Sequence, residues 1–320
     1  MQNAKKKERK IISLVIVVIL LLLAPLFISN YILYLAGVIM IMAIVAQGLN
    51  TMIGWGAIFS FGQPGFMAFG AYFGAIVSRQ FPMLPFPIIL IVTGMASALI
   101  GLVIGFPCLR LRGFFLAMAT YGFSSALFVL INFFNNLTGG NEGMYVSPPT
   151  FGPLVLGSIE AIFIMIVLIG VIAQFFVSNI SKSKTGHAWR SIRDGEIAAA
   201  SLGINIAREK LKLFTFGSCL AGVGGVLYAY LIGYLQADFF SSMGLSFFLI
   251  LVVGGIGTIW GPLLGSVMIL LIPQVFGGVF SQSMNLVYGA ILLIFVLVAP
   301  KGFLGLFESL ITSVQSRRKA

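Results

Sequence analysis

The chain has 320 residues, of which 59% are apolar and 8% charged, and its formal net charge is +11. An average soluble domain is about 25% charged, so this composition excludes a water-soluble enzyme, a disulfide-rich secreted module and a disordered protein. Long unbroken apolar runs, in place of short alternating segments, also exclude a transmembrane β-barrel and leave an all-α polytopic integral membrane protein.

The chain opens on Lys5, Lys6, Lys7, Arg9 and Lys10, followed by an apolar run over 11–29. A basic start followed by an apolar run is the shape of a signal peptide. The run exceeds the roughly 7–15 residues of a signal core, however, and no A-x-A site follows it. It is expected to be a retained first span. About twenty mostly apolar residues cross a bilayer, and about ten segments qualify: 11–29, 31–53, 57–78, 84–107, 114–133, 158–178, 213–235, 244–258, 262–279 and 284–299. Gly and Pro interrupt 57–78, 244–258 and 262–279.

Sidedness follows from the basic residues. Of the 19 Lys and Arg, all but Arg79 fall in the N-terminal tail, at Arg110 and Arg112, in 182–212, or in the C-terminal segment. With ten spans and an inside N-terminus, all four clusters are cytoplasmic, as the positive-inside rule requires. Arg79 sits at an outer span end, where it can snorkel to headgroups. The expected organisation is a basic cytoplasmic tail over 1–10, one transmembrane domain over 11–306, and a cytoplasmic tail over 307–320. An external loop spans 134–157 and a cytoplasmic one 179–212.

Several chemistries lack their residues. There is no G-x-x-x-x-G-K-[ST] loop for nucleotide phosphates. Cys108, Cys219 and the single His187 offer no metal spacing, and the cysteines read as packing residues. Paired intramembrane carboxylates are also missing. Glu160 is the one candidate, and it reads as interfacial. These absences disfavour an ion-coupled carrier and an intramembrane enzyme, and no cofactor is expected on this chain.

Glycine carries more information. Gly70 with Gly74, Gly101 with Gly105, and Gly217, Ala221 and Gly225 recur every four residues, as on close helix contact faces. Two denser clusters would break a helix: Gly54 to Gly65 and Gly254 to Pro262. Broken segments at corresponding places in two halves point to a translocation path, with Ser60, Phe61, Gly62, Gln63, Gly65, Gly254, Gly255 and Gly257 as candidates. The alternative is a plain cytoplasmic turn between two helices.

The segment 183–205 is the most specific. Asp194 is a good N-cap, Glu196 complements the dipole in a first turn, Ala198 to Ala200 favour helix, and Gly203 suits a left-handed C′ position. Asn205 can cap a following helix through Arg208, Glu209 and Lys210. The expectation is a short surface helix over 194–203 that docks a cytoplasmic partner.

The run Glu196-Ile197-Ala198-Ala199-x-x-Leu202-Gly203-Ile204 resembles the coupling loop of ABC importer permeases. Further stretches resemble the branched-chain amino acid permease family, and its LivM-type subunits in particular. They are 49–74, Leu111-Arg112-Gly113-Phe114-Phe115, 137–143, Gly254 to Pro262, and 299–306. Gln63-Pro64 departs from the family's usual Gly-His. The resemblance implies a bacterial-type inner membrane location and four kinds of partner contact: a second related permease subunit, two cytoplasmic ATPase subunits that bind the ATP, a substrate-binding protein outside, and lipid. It implies ATPase coupling through Arg193, Asp194, Glu196, Ala198, Ala199 and Gly203. Thr138, Gly139, Gly140, Asn141 and Glu142 are expected to meet the binding protein or gate the outer mouth. The implied solute is a branched-chain or related amino acid. A urea, short-amide or simple-sugar permease of the same superfamily is the nearest rival, and a passive channel or membrane scaffold the rival of another class.

Overall fold

The computed structural model describes residues 25, 27–111, 113–151, 154–280 and 289. The expected first and tenth spans, both tails and the 299–306 stretch lie outside the described residues, apart from a few positions. The helices are α1 (Asn30–Gly56), α2 (Gln63–Gln80), α3 (Phe86–Cys108), α4 (Phe114–Phe133), α5 (Asn135–Thr138), α6 (Ile159–Lys182), α7 (Lys184–Asp194), α8 (Glu196–Ser201), α9 (Ile206–Ile232), α10 (Ala237–Ser241), α11 (Met243–Gly254) and α12 (Gly261–Phe280). Two-residue strands β1 (Met144–Tyr145), β2 (Thr150–Phe151), β3 (Leu154–Val155) and β4 (Tyr234–Leu235) pair antiparallel as β1 with β4 and β2 with β3.

Among the described residues, six stretches are long and apolar enough to cross a bilayer: α1, α3, α4, α6, α9 and the consecutive α10 and α11. The protein is therefore a multi-pass membrane protein. Three expected spans differ at their starts. The span placed at 57–78 is helical only from Gln63, the one placed at 213–235 starts seven residues earlier, at Ile206, and the one placed at 244–258 starts at Ala237 and ends at Gly254. In the second case Asn205 starts the helix, its side chain accepting from Arg208 N at 3.1 Å. That cap was legible in the sequence.

Helix α9 is the central post, packed against α1, α2 and α3. All the glycine pairs read from the sequence lie on these contacts. Gly70 backs onto Gly222, where an added methyl would overlap the Gly222 carbonyl, and Gly105 faces the Phe214 ring. Lipid supplies no hydrophobic drive between helices, so backbone approach and dispersion hold the post in place. Ser97 adds a hydrogen bond across this contact, donating to Ser218 O at 2.8 Å.

Segments expected on the same side of the membrane touch one another. At one end, which carries Arg110 and the basic residues of 182–212, the end of α1 meets α7 and the turn after α11. At the far end the loop after α4 pairs with the segment after α9 through β1 and β4.

Candidate functional site

The first glycine cluster ends α1 and returns beside α4. Ala57 takes a left-handed φ of 50° and turns the chain out of the helix. Residues 57–62 are not helical, and α2 starts at Gln63, with Pro64 in its first turn where no intrahelical donor is needed. The backbone freed here finds hydroxyls on α4. Phe61 N donates to Thr120 Oγ1 at 3.0 Å, Gly65 N donates to Ser124 Oγ at 3.2 Å, and Ser124 Oγ donates to Phe61 O at 3.2 Å. Thr120 lies six residues into α4, about 9 Å along its axis. Non-helical backbone at that depth persists because protein side chains satisfy it.

In front of this break, α4 and the junction of α10 with α11 frame a groove of about 380 Å³. Phe61, Pro64, Tyr121, Ser124, Ser242 and Gly244 are among its walls. Of the residues expected to line a path, only Phe61 does so in this groove. Ser60, Gly62, Gln63 and Gly65 are buried behind it. Gln63 is 1% exposed, with its amide nitrogen on Met52 Sδ at 3.5 Å. The Gln63-Pro64 departure therefore touches the groove through Pro64. Tyr121, Ser241 and Ser242 were missed in the sequence, because single hydroxyls inside apolar runs carry no spacing signal.

The second glycine cluster is a tight turn from α11 to α12, with Gly255 at φ 105° and Gly257 at φ 83°. Gly254 packs against the backbone of Gly261. Gly254, Gly255 and Gly257 sit at the basic end against α1, away from the groove. The turn's carbonyls and amides are held from outside it. Asn50 accepts from Gly257 N at 2.7 Å and donates to Thr258 O at 2.7 Å. Trp55 Nε1 donates to Gly257 O at 3.1 Å, and Gln174 Nε2 donates to Ile259 O at 3.0 Å.

The docking segment departs from expectation at its start. Asp194 does not cap the short helix; it is the last residue of α7. Ser183 starts α7 by accepting from Gly186 N at 3.3 Å, and burial of Trp189 and Ile192 keeps the helix running through Asp194. Gly195, in extended backbone, then occupies the N-cap of α8 without a side-chain bond. Helix α8 has six residues, fewer than the ten of 194–203. Gly203 has the expected positive φ, 82°. Glu196 pairs with Lys210 of α9 at 2.5 Å. Ala198 and Gly203 are exposed, but Ala199 is 1% exposed and faces the protein's own core. The projecting side chains are Ile197, 87% exposed, and Leu202, 79% exposed. The sequence reading passed over both, although two bulky apolar residues in a polar segment are themselves a signal. Arg193 stays exposed overall, with its guanidinium donating to Gly54 O at 2.6 Å.

At the far end, Thr138 is buried and serves the loop itself. Its hydroxyl donates to Ile131 O at 2.6 Å and accepts from Gly140 N at 3.2 Å. Gly139 and Gly140 adopt positive φ around it. Asn141 and Glu142 are exposed. Their carbonyls accept from Gln236 Nε2, at 3.3 Å, and from the Tyr234 hydroxyl. Among the described residues no cluster of His, Cys, Asp and Glu could hold a metal ion.

The sequence profile of the family described as branched-chain amino acid transport system / permease component matches residues 31–299. The chain belongs to this permease family. The permease is 30% identical over 305 residues to the high-affinity branched-chain amino acid transport system permease protein LivM of Salmonella typhimurium, covering 88% of this chain and 71% of the relative. It is similar to the same extent to LivM of Escherichia coli. It is 32% identical over 125 residues to the LivH permease protein of Escherichia coli, covering 38% of the permease and 40% of that relative. No solved structure is significantly similar.

Proposed function

We propose that this chain is one of two related permease subunits of an ABC importer for branched-chain amino acids, working in a bacterial-type inner membrane with its basic end in the cytoplasm. Two ATPase subunits supply ATP hydrolysis, and a substrate-binding protein delivers the solute at the far end. The similarity to both LivM and LivH supports a related second subunit. About ten spans, with both termini inside, fit the distribution of basic residues.

The observation that carries the reading is the α8 knob. Ile197 and Leu202 project from a polar segment at the basic end, while Ala199 and the Glu196–Lys210 pair root the helix in its own chain. An exposed apolar pair on a rooted helix fits a groove in a partner. The groove in front of the broken α2 start, lined by Phe61, Tyr121 and Ser242, suits a small zwitterion with an apolar side chain. No metal or organic cofactor enters this role.

The test replaces Ile197 and Leu202 by Glu in the complete complex. Co-purification of the ATPase should be lost, together with leucine uptake, while the permease stays folded in the membrane. Wild-type levels of both would overturn the ABC reading. Uptake of urea or a simple sugar in place of leucine, isoleucine or valine would overturn the substrate.

A further inference from the structure

Both walls of the groove end at one small cluster on the basic face. Loop 57–62 and α2, which bring Phe61 and Pro64 to the groove, follow directly from the end of α1 at Gly56. Helix α11, which brings Gly244 and Leu245, runs down to the Gly255–Thr258 turn. That turn rests on α1: an added methyl on Gly54 would lie 2.5 Å from Gly257 N, and Asn50 and Trp55 bond the turn directly. Helix α7 closes over this contact. Trp189, buried, stacks on Trp55 with ring centroids 6.3 Å apart and donates to Glu209 Oε2 at 3.1 Å.

Two arginines of α7 hold it there. Arg193 donates to Gly54 O, in the last turn of α1. Arg190 donates to Ser181 O at 2.5 Å and to the Ser181 hydroxyl, in the last turn of α6, and its guanidinium lies 5.5 Å from the Trp55 ring centre. Among the described residues the ion pairs are Lys210–Glu196 and Lys212–Glu209, so neither arginine meets a carboxylate. Each rests on the C-terminal carbonyls of a helix, where the macrodipole favours a cation. A carboxylate would make a fixed ion pair. Carbonyl contacts at a helix end hold α7 with directional bonds that can be remade as it shifts.

We infer that Arg193, with Trp55 and the Gly257 turn, is the positioning joint that turns a displacement of α8 into movement of both groove walls. The joint rests on the ABC reading above, in which α8 receives the displacement. Only Gly195 separates α8 from α7, so a push on Ile197 and Leu202 reaches α7, and α7 grips α1 and, through α1, the α11–α12 turn. Arg193 is a positioning residue. It acts through Gly54 O of α1 and is not among the residues that line the groove.

The experiment uses the whole complex, reconstituted in liposomes with its ATPases and binding protein, and reads leucine moved per ATP hydrolysed. Arg193→Ala should lower that ratio about tenfold, within the span by which residues along a coupling network change coupling. Arg193→Lys, which keeps a cation able to donate to Gly54 O, should restore it to within about twofold of wild type. Trp55→Phe keeps the stacking ring and loses the bond to Gly257 O, and should lower the ratio about threefold. A wild-type ratio in Arg193→Ala overturns the joint. So does loss of the ATPase from purified Arg193→Ala, which would make the arginine a support of the docking face alone. If Arg193→Ala fails to fold, Trp55→Phe decides, and an unchanged ratio there overturns the joint. Retention of the ATPase by the Ile197 and Leu202 variants would instead overturn the ABC reading, whatever the joint variants do.

Discussion

The two glycine-rich breaks look alike in the sequence and are built differently. The break after α1 is open. Its backbone returns along α4 and is satisfied by two hydroxyls, and its front face forms a groove wall. The break after α11 is closed. Gly254 packs backbone to backbone on Gly261, and the turn is held by side chains of α1 and α6. In the first, Gly62 beside the groove wall has room for a methyl group, whereas Gly54, Gly56 and Gly65 are close-packed against Gly257, Leu213 and Ser124. In the second, glycine permits contact between backbones and the positive φ values of the turn. A count of glycines therefore does not say whether a break lines a path or closes a joint.

Substitutions that add one methyl group separate the two most sharply. Gly254→Ala should cost about 3 kcal/mol, because the methyl meets the Gly261 backbone, which has nowhere to retreat. Thermal unfolding in detergent measures it, and an unchanged midpoint would mean that the turn is not closed. The largest side-chain effect in the same turn should come from Asn50→Leu. It leaves Gly257 N and Thr258 O without their partner and should cost about 2 kcal/mol by the same measurement.

The open break should respond less. Thr120→Val removes the acceptor of Phe61 N and should cost about 1 kcal/mol, with Thr120→Ser close to wild type. Gly62→Ala should be the mildest, below about 0.5 kcal/mol. Its φ is −82°, and the nearest atoms, on the Phe66 ring and the Ser60 hydroxyl, lie 3.3 Å from the new methyl and can yield. A Gly62→Ala loss as large as that of Gly254→Ala would erase the distinction between the breaks.

Much of the architecture was legible because it is written in local terms. Apolar run length set the membrane class, with six candidate spans among the described residues, and of the four basic clusters Arg110 and 182–212 are found at one end of the structure. Four-residue glycine spacing marked the faces on α9. Asn205 as a cap and Gly203 at positive φ follow from single-residue chemistry, and both are found.

The start of the docking helix was not legible. Asp194 is a good cap by residue type, but Trp189 and Ile192 gain more by burial against α1 than a cap at Asp194 would supply, so α7 runs on and α8 starts after Gly195. Whether Ala198 or Ala199 faces outward also depends on what lies beneath α8, and a run of three alanines carries no sign of direction. The joint was hidden for the same reason. Asn50, Trp55 and Arg193 are separated from their partners by 208, 202 and 139 positions. The sequence by itself determined that the chain is a multi-pass membrane protein and where single residues such as Asn205 and Gly203 cap or turn it, since each follows from hydration and backbone sterics within a few residues. Only the tertiary structure decided which glycines open a groove and which close a joint, because that depends on which backbone arrives opposite them.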